Sequence, residues 1–181
     1  MNLWFRLLHL IITSLFRPRL TPTDVSRLRY RVWPHDLDLS MHMNNGRYWT
    51  IMDLGRADLM LRTGVWRAMV RNGWSPTVNA GKIRFRRELR LFQPFTLETR
   101  IVTWAETFLV IEHRVVTRSR NGDEIVNAVA LSRAGLYDRA ARRFVTVKEI
   151  FAEVGGEVPP PAATPEVEAF LAAEEAMKRA A

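Results

Sequence analysis

The spacing of apolar and polar positions changes character three times along this chain of 181 residues. Residues 3–16 are mostly apolar, while Asn2, Arg6, His9, Thr13 and Arg17 follow one another at steps of four, three, four and four. A helix would line these up as one narrow polar stripe. Pro18 and Pro22 then break the segment from the rest of the chain, and its apolar length falls short of the ~20 residues that span a bilayer. From Ser26 to Trp33 the rhythm becomes alternating: Leu28, Tyr30 and Val32 interleave with Arg27, Arg29 and Arg31, which predicts a half-buried strand with one cationic face. A run without proline extends from Asn45 to about Arg62, with Tyr48, Ile51, Met52, Leu54, Leu59 and Met60 apolar on more than one face and Gly64 placed to end it. That pattern predicts a helix surrounded by other structure. Gly55 in its middle costs ~1 kcal/mol of helix propensity against alanine, which a close strand crossing would explain.

A short second helix is expected over residues 65–70, ended near Asn72-Gly73. Beyond Pro76 the pattern predicts strands near residues 76–91, 95–104, 107–118 and 124–139. Turns are expected near Gln93-Pro94, Ala105-Glu106 and Asn121-Gly122, the last a hairpin signal because both residues tolerate positive φ. One strand, a helix and then several antiparallel strands define an α+β domain whose sheet must cover the helix. Three segments result: an amphipathic N-terminal segment (residues 1–20), the domain (21–153), and a tail (154–181) in which Pro159-Pro160-Pro161 links to an acidic, alanine-rich helix from Pro165 to Lys178.

Charge sharpens this division. The net charge is +8, carried by 24 arginines among 27 basic residues; six glutamates against Lys178 and Arg179 give residues 151–181 a net of −4 and leave +12 on residues 1–150. So basic a surface suits nucleic acid, anionic lipid or phosphorylated small molecules. The chain has no zinc finger, helix-turn-helix or aromatic-interleaved RNA-binding strand, so no nucleic-acid partner is expected. The absence of cysteine excludes disulfides, thiolate catalysis and cysteine-ligated zinc.

The stretch from Asp36 to Tyr48, Asp-Leu-Asp-Leu-Ser-Met-His-Met-Asn-Asn-Gly-Arg-Tyr, concentrates two carboxylates, an imidazole and two amides between the predicted strand and helix. Asp-x-Asp, then His-x-Asn-Asn, then a tyrosine three residues later, leading into a helix with Asp53 and Arg56, is similar to the hotdog-fold thioesterases. These include the 4-hydroxybenzoyl-CoA thioesterase group and the acyl-carrier-protein thioesterases. The likeness is nearest to the thioesterase superfamily member six-like branch, and covers roughly residues 28–145, including Arg84-Phe85-Arg86-Arg87 and Leu91-Phe92-Gln93-Pro94-Phe95. The resemblance implies an antiparallel sheet wrapped around the central helix, hydrolysis of acyl-CoA or acyl-carrier-protein thioesters without metal or organic cofactor, and a homodimer or dimer of dimers.

The candidate residues each carry a functional and a structural reading. Asp38 can attack a thioester carbonyl or activate water, as the aspartate at this motif position does in the resembled family, or it can form an Asx-turn. Asp36 suits the turn role. His42 can orient water or protonate a leaving thiolate, or be satisfied by backbone. Asn44 or Asn45 suits an N-cap, and the backbone N–H groups of Asn45 and Gly46 suit an oxyanion. Ser40 stands where the acyl-carrier-protein thioesterases carry asparagine, a departure from their catalytic set. Asp53 is the second choice of catalytic carboxylate, or simply an ion-pair partner of Arg56. Tyr48 is a substrate-contact candidate, and Lys82, Arg84 and Arg86 suit coenzyme A phosphates or a solvated strand edge. Residues 1–17 suit either packing on the domain or a dimer partner, or docking of a cytoplasmic protein at the inner membrane surface, with Arg6, His9 and Arg17 meeting anionic headgroups.

Overall fold

The computed structural model describes residues 3–155 and 158–180; Asn2 of the predicted stripe and Glu157 of the acidic tail lie outside them. In chain order the elements are α1 (Leu3–Ser14), β1 (Ser26–Arg31), a 3-10 turn (Pro34–Asp36), α2 (Asn45–Thr63), α3 (Val65–Asn72), β2 (Trp74–Phe85), β3 (Pro94–Trp104), β4 (Leu109–Arg118), β5 (Glu124–Asp138), β6 (Arg143–Phe144), α4 (Val147–Val154) and α5 (Pro165–Arg179). The strands form one antiparallel sheet in the order β1-β3-β4-β5-β2, with β6 paired to β5.

The sheet curls over α2. Tyr48, Ile51, Met52 and Leu54 of that helix share a buried cluster with Leu28, Phe95, Leu97, Val115, Ala128 and Ala130 from four strands. Gly55 is the point of closest approach: a Cβ there would meet Leu97 Cδ2 at 2.9 Å and Thr99 Oγ1 closer still, so β3 crosses over bare backbone. Gly64 ends α2 and Gly73 ends α3, both in the left-handed region, as their positions predict.

Several expected boundaries shift for local reasons. The strand expected over 76–91 runs from Trp74 to Phe85, because Arg86 and Arg87 both donate their backbone N–H to the Asn127 carbonyl and turn the chain out of the ladder. Leu89 is buried beyond that turn, and its carbonyl accepts from Met43 N–H, so this segment braces the motif loop. The β4–β5 hairpin forms at Asn121-Gly122, yet only Gly122 takes positive φ. The turn is a five-residue loop in which Ser119 N–H donates to Asp123 O. Helix α4 falls in a stretch that the pattern left unassigned, although Thr146 and Glu149 form a capping box legible as Thr-x-x-Glu.

Both terminal segments bury side chains in the domain. Along β4, odd-numbered residues face α2 and Val110 faces the other way, where it packs with Leu131 against Val167 and Phe170 of α5. The tail helix therefore covers the outer face of the sheet, clamped by an Arg133–Glu174 ion pair at 2.8 Å. Helix α1 packs on α2, and its arginines reach β1, the strand at one end of the sheet order. Its Arg6 guanidinium donates to the Arg31 carbonyl (3.3 Å) and to Asp36 (2.5 Å) and sits over the Tyr30 ring. Arg17, just past the helix, donates to the Arg27 carbonyl and to buried Asp58, both at 2.8 Å. Guanidinium groups thus occupy carbonyls of the β1 edge, whereas β2 at the opposite end has no strand beyond it among the described residues. This corrects the expected use of the polar stripe: Arg6 is only 4% exposed and points into the protein, because Asp36 and the Arg31 carbonyl offer it partners there.

Candidate active site

The loop between β1 and α2 is built on Asp36. Its carboxylate, 1% exposed, accepts from Arg6 and from the Trp33 N–H (3.0 Å), with Arg47 3.5 Å away, and its carbonyl accepts from the Asn44 N–H. A buried carboxylate without such partners would carry a large desolvation penalty. Asp36 is the turn former that its sequence position indicated.

Asp38 stands two residues on, half-buried, with Oδ1 accepting the Ser40 N–H at 2.9 Å in an Asx-turn. The Asp38 backbone N–H donates to the His42 carbonyl, and Met41 N–H returns to the Asp38 carbonyl. This tight turn forces Met41 to φ 60°, a conformation unusual for a side chain of its size. Asp38 Oδ2 has no hydrogen-bond partner among the described residues. It adjoins an open depression of about 760 Å³ lined by Asp38, Ser40 and Asn44 and by apolar Pro34, Leu37, Leu39, Met41 and Leu91.

The other motif residues divide between this depression and the fold. Asn44 is the N-cap, its Oδ1 accepting the Gly46 N–H at 2.8 Å. That bond corrects the expected oxyanion pair, since the cap already occupies the Gly46 donor and leaves the Asn45 N–H as the orphan at the helix start. His42 Nε2 lies 3.1 Å from Glu88 Oε2, a partner that sequence reading missed because it arrives from the segment after β2. A hydrogen bond from Arg90, with His42 adding to it, holds the Glu88 carboxyl below its usual range. Tyr48 is 2% exposed and packs edge-on against Phe85 at 5.1 Å. Burial pushes its phenol up to about 12, and it takes no part in lining the depression.

Asp53 occupies a different place. It pairs with Arg56 one turn on and borders a partly open apolar cleft of about 310 Å³ between the C-terminal half of α2, the sheet and α4, walled by Met60, Ile101, Leu109, Ile111, Leu136 and Phe151. Arg56 reaches inward to His113 Nε2 (3.1 Å), whose Nδ1 lies 3.0 Å from Thr99 Oγ1. A guanidinium can only donate, so Nε2 accepts and the proton sits on Nδ1. Burial, reinforced by the Arg56 charge, drives the His113 pKa down to about 3. Asp53 and Asp38 therefore line separate cavities. No sequence spacing could have found His113, since α2 and β4 meet only in the fold.

The cationic trio also separates. Lys82 and Arg84 are exposed on β2, on the face away from α2. Arg86, past the strand end, lines a second open depression with Arg87, Glu88 and Arg90 beside His42.

Comparison with known proteins agrees with this architecture. Residues 32–166 match the family model of the thioesterase-like superfamily. Protein THEM6 of Xenopus laevis is 39% identical over 102 residues, 56% of this chain and 48% of that one, and its zebrafish counterpart is 40% identical over 103 residues, 57% and 50%. The chain thus matches about half the length of these relatives. Among solved structures, 4-hydroxybenzoyl-CoA thioesterase from Pseudomonas sp. strain CBS-3 superposes with a TM-score of 0.63 at 19% identity, covering 72% of this chain and 98% of that one. The probable thioesterase YbaW of Escherichia coli gives 0.63 at 20%, covering 70% and 94%. The fold is the hotdog fold of these neighbours, and by its match over most of its length the chain belongs to the thioesterase-like superfamily.

Proposed function

We propose that this protein hydrolyses acyl thioesters, with coenzyme A or acyl-carrier protein as the leaving group, at the Asp38 loop. The observation that carries the reading is a carboxylate held at one oxygen by the Ser40 N–H and open at the other, beside an apolar-walled depression at the start of α2. In the general-base form Asp38 takes a proton from water, the oxygen adds to the carbonyl carbon, the C–S bond breaks and the thiolate leaves with a proton. The Asn45 N–H and the positive end of the α2 dipole face the developing oxyanion. His42, fixed by Glu88, serves as the proton donor to the thiolate, and Arg86 with Arg87 offers guanidinium groups for coenzyme A phosphates.

A homodimer completes this site. Leu39 and Met41 are exposed around the loop, with Leu91, Phe92 and Trp33 beside them, and the β2 edge carries unpaired backbone groups. A second copy would close the depression. Light scattering at micromolar concentration should report a dimer, and a monomer would remove this part of the reading.

One observation favours a second reading: the apolar cleft that suits an acyl chain is bordered by Asp53, not by Asp38. Steady hydrolysis of short, long and aromatic acyl-CoAs by the purified protein tests the activity. Tight acyl-CoA binding without turnover would identify a binding protein instead.

A further inference from the structure

Among the described residues, no other helix or strand exposes as many large apolar side chains as α1. Trp4, Phe5, Leu8, Ile11, Ile12, Leu15 and Phe16 are all exposed, from 41% for Ile11 to 85% for Phe16. At 100° per residue they fill one continuous arc of the helix and its last turn, and no polar residue interrupts it. The opposite arc is what holds the helix down. Leu10 is buried, Leu3 and Leu7 pack on the core, and Arg6 is bonded to Asp36. The orientation is therefore the reverse of an ordinary surface helix: the arginine of the polar stripe, Arg6, is spent on the protein, His9 stays exposed at the margin, and the apolar face is presented outward. Two ion pairs, the buried Arg6–Asp36 and a half-buried Arg17 on buried Asp58, keep the helix from rolling over.

We infer that this face docks the protein in the plane of a lipid bilayer containing anionic headgroups. No described helix is long and apolar enough to cross a membrane, so α1 lies flat, with its apolar arc in the acyl region. Trp4 supplies the indole that favours the boundary between headgroup and acyl chain. The charge balance fits the same partner: residues 1–150 carry the basic excess, and Arg19, in the segment after α1, and Arg29 on β1 are exposed without an acidic partner among the described residues. A second copy is the weaker fit. Apart from the Trp4 indole N–H the arc offers no side-chain group for directional pairing, and the Asp38 surroundings and the β2 edge already supply a dimer with surface. Docking is independent of whether Asp38 hydrolyses a thioester. Because Arg6 is bonded to Asp36, it holds the motif loop beside the bilayer.

The test uses the full chain. Wild-type protein should float with vesicles of phosphatidylcholine and phosphatidylglycerol in equal parts, and less with phosphatidylcholine alone. The double variant Leu8→Glu/Ile12→Glu should stay folded with a melting temperature close to wild type, because half or more of each residue is exposed, and lose vesicle partition by roughly tenfold or more. Phospholipids brominated on their acyl chains should quench part of the wild-type tryptophan emission, and Trp4→Phe should abolish that part. Flotation of the double variant equal to wild type would assign binding to the basic core and overturn the inference. So would absence of quenching in the wild type, or a dimer that the double variant dissolves while neither protein binds vesicles.

Discussion

Asp38 and Asp53 are two carboxylates of one region held in opposite ways. Asp38 sits on a loop with one oxygen fixed and one open, beside a wide, shallow, apolar-walled surface. Asp53 sits on the central helix beside a less open, apolar cleft, yet its charge is taken up by Arg56, which is itself tied to His113. A base needs an unengaged lone pair, while an acyl chain needs volume away from water, and in one copy of the chain the two lie apart. A site that joins them must draw on a second copy or on one carboxylate in place of the other.

The largest effect expected is on turnover. Asp38→Asn keeps size and the Asx-turn acceptor, so kcat/KM for acyl-CoA should fall about 100- to 10,000-fold with little change in melting temperature. Asp53→Asn should lower it less than about tenfold, the scale of a lost surface contact rather than a lost base. If the two results come out exchanged, the cavity is the reaction site and the loop is structural.

Stability separates the loop's anchor from its chemistry. Asp36→Ala strands the buried Arg6 guanidinium and the Trp33 N–H, so denaturant unfolding should show a loss of about 3–5 kcal/mol. A loss below about 1 kcal/mol would mean that water replaces the carboxylate and that the Asp36 pair is dispensable. On the cavity side, Gly55→Ala drives a methyl into Leu97 and Thr99, and Thr99 also partners His113; a destabilisation of about 1–3 kcal/mol is expected in the same experiment.

The last effect is a pH slope. His113 has a folded pKa of about 3 against 6.5 unfolded, so the unfolded chain binds more protons between those values. Its contribution is fully present above pH 6.5 and is lost as pH falls toward 3, at no more than about 1.4 kcal/mol per pH unit. Chemical denaturation across this window should show a shallower slope in His113→Gln than in the parent. An unchanged slope would mean that the carboxylates alone set the acid response.

Much of this was determined by the sequence alone. The pattern of residues 45–62, apolar on more than one face, indicated a helix covered by sheet, Gly64 and Gly73 marked two helix ends, and Gly55 announced a strand crossing, because period and backbone freedom are properties of local chain chemistry. The Asp-x-Asp and His-x-Asn-Asn motif likewise indicated the family. What tertiary structure decided is which partner each polar group finds. Only the fold brings Glu88 to His42, Arg56 to His113 and Arg6 to Asp36, since each pair joins segments between 30 and 57 residues apart. The α1 stripe shows the reason most plainly: periodicity establishes that Arg6, His9 and Thr13 share a side of the helix, but a buried carboxylate on another segment selects which side faces the protein.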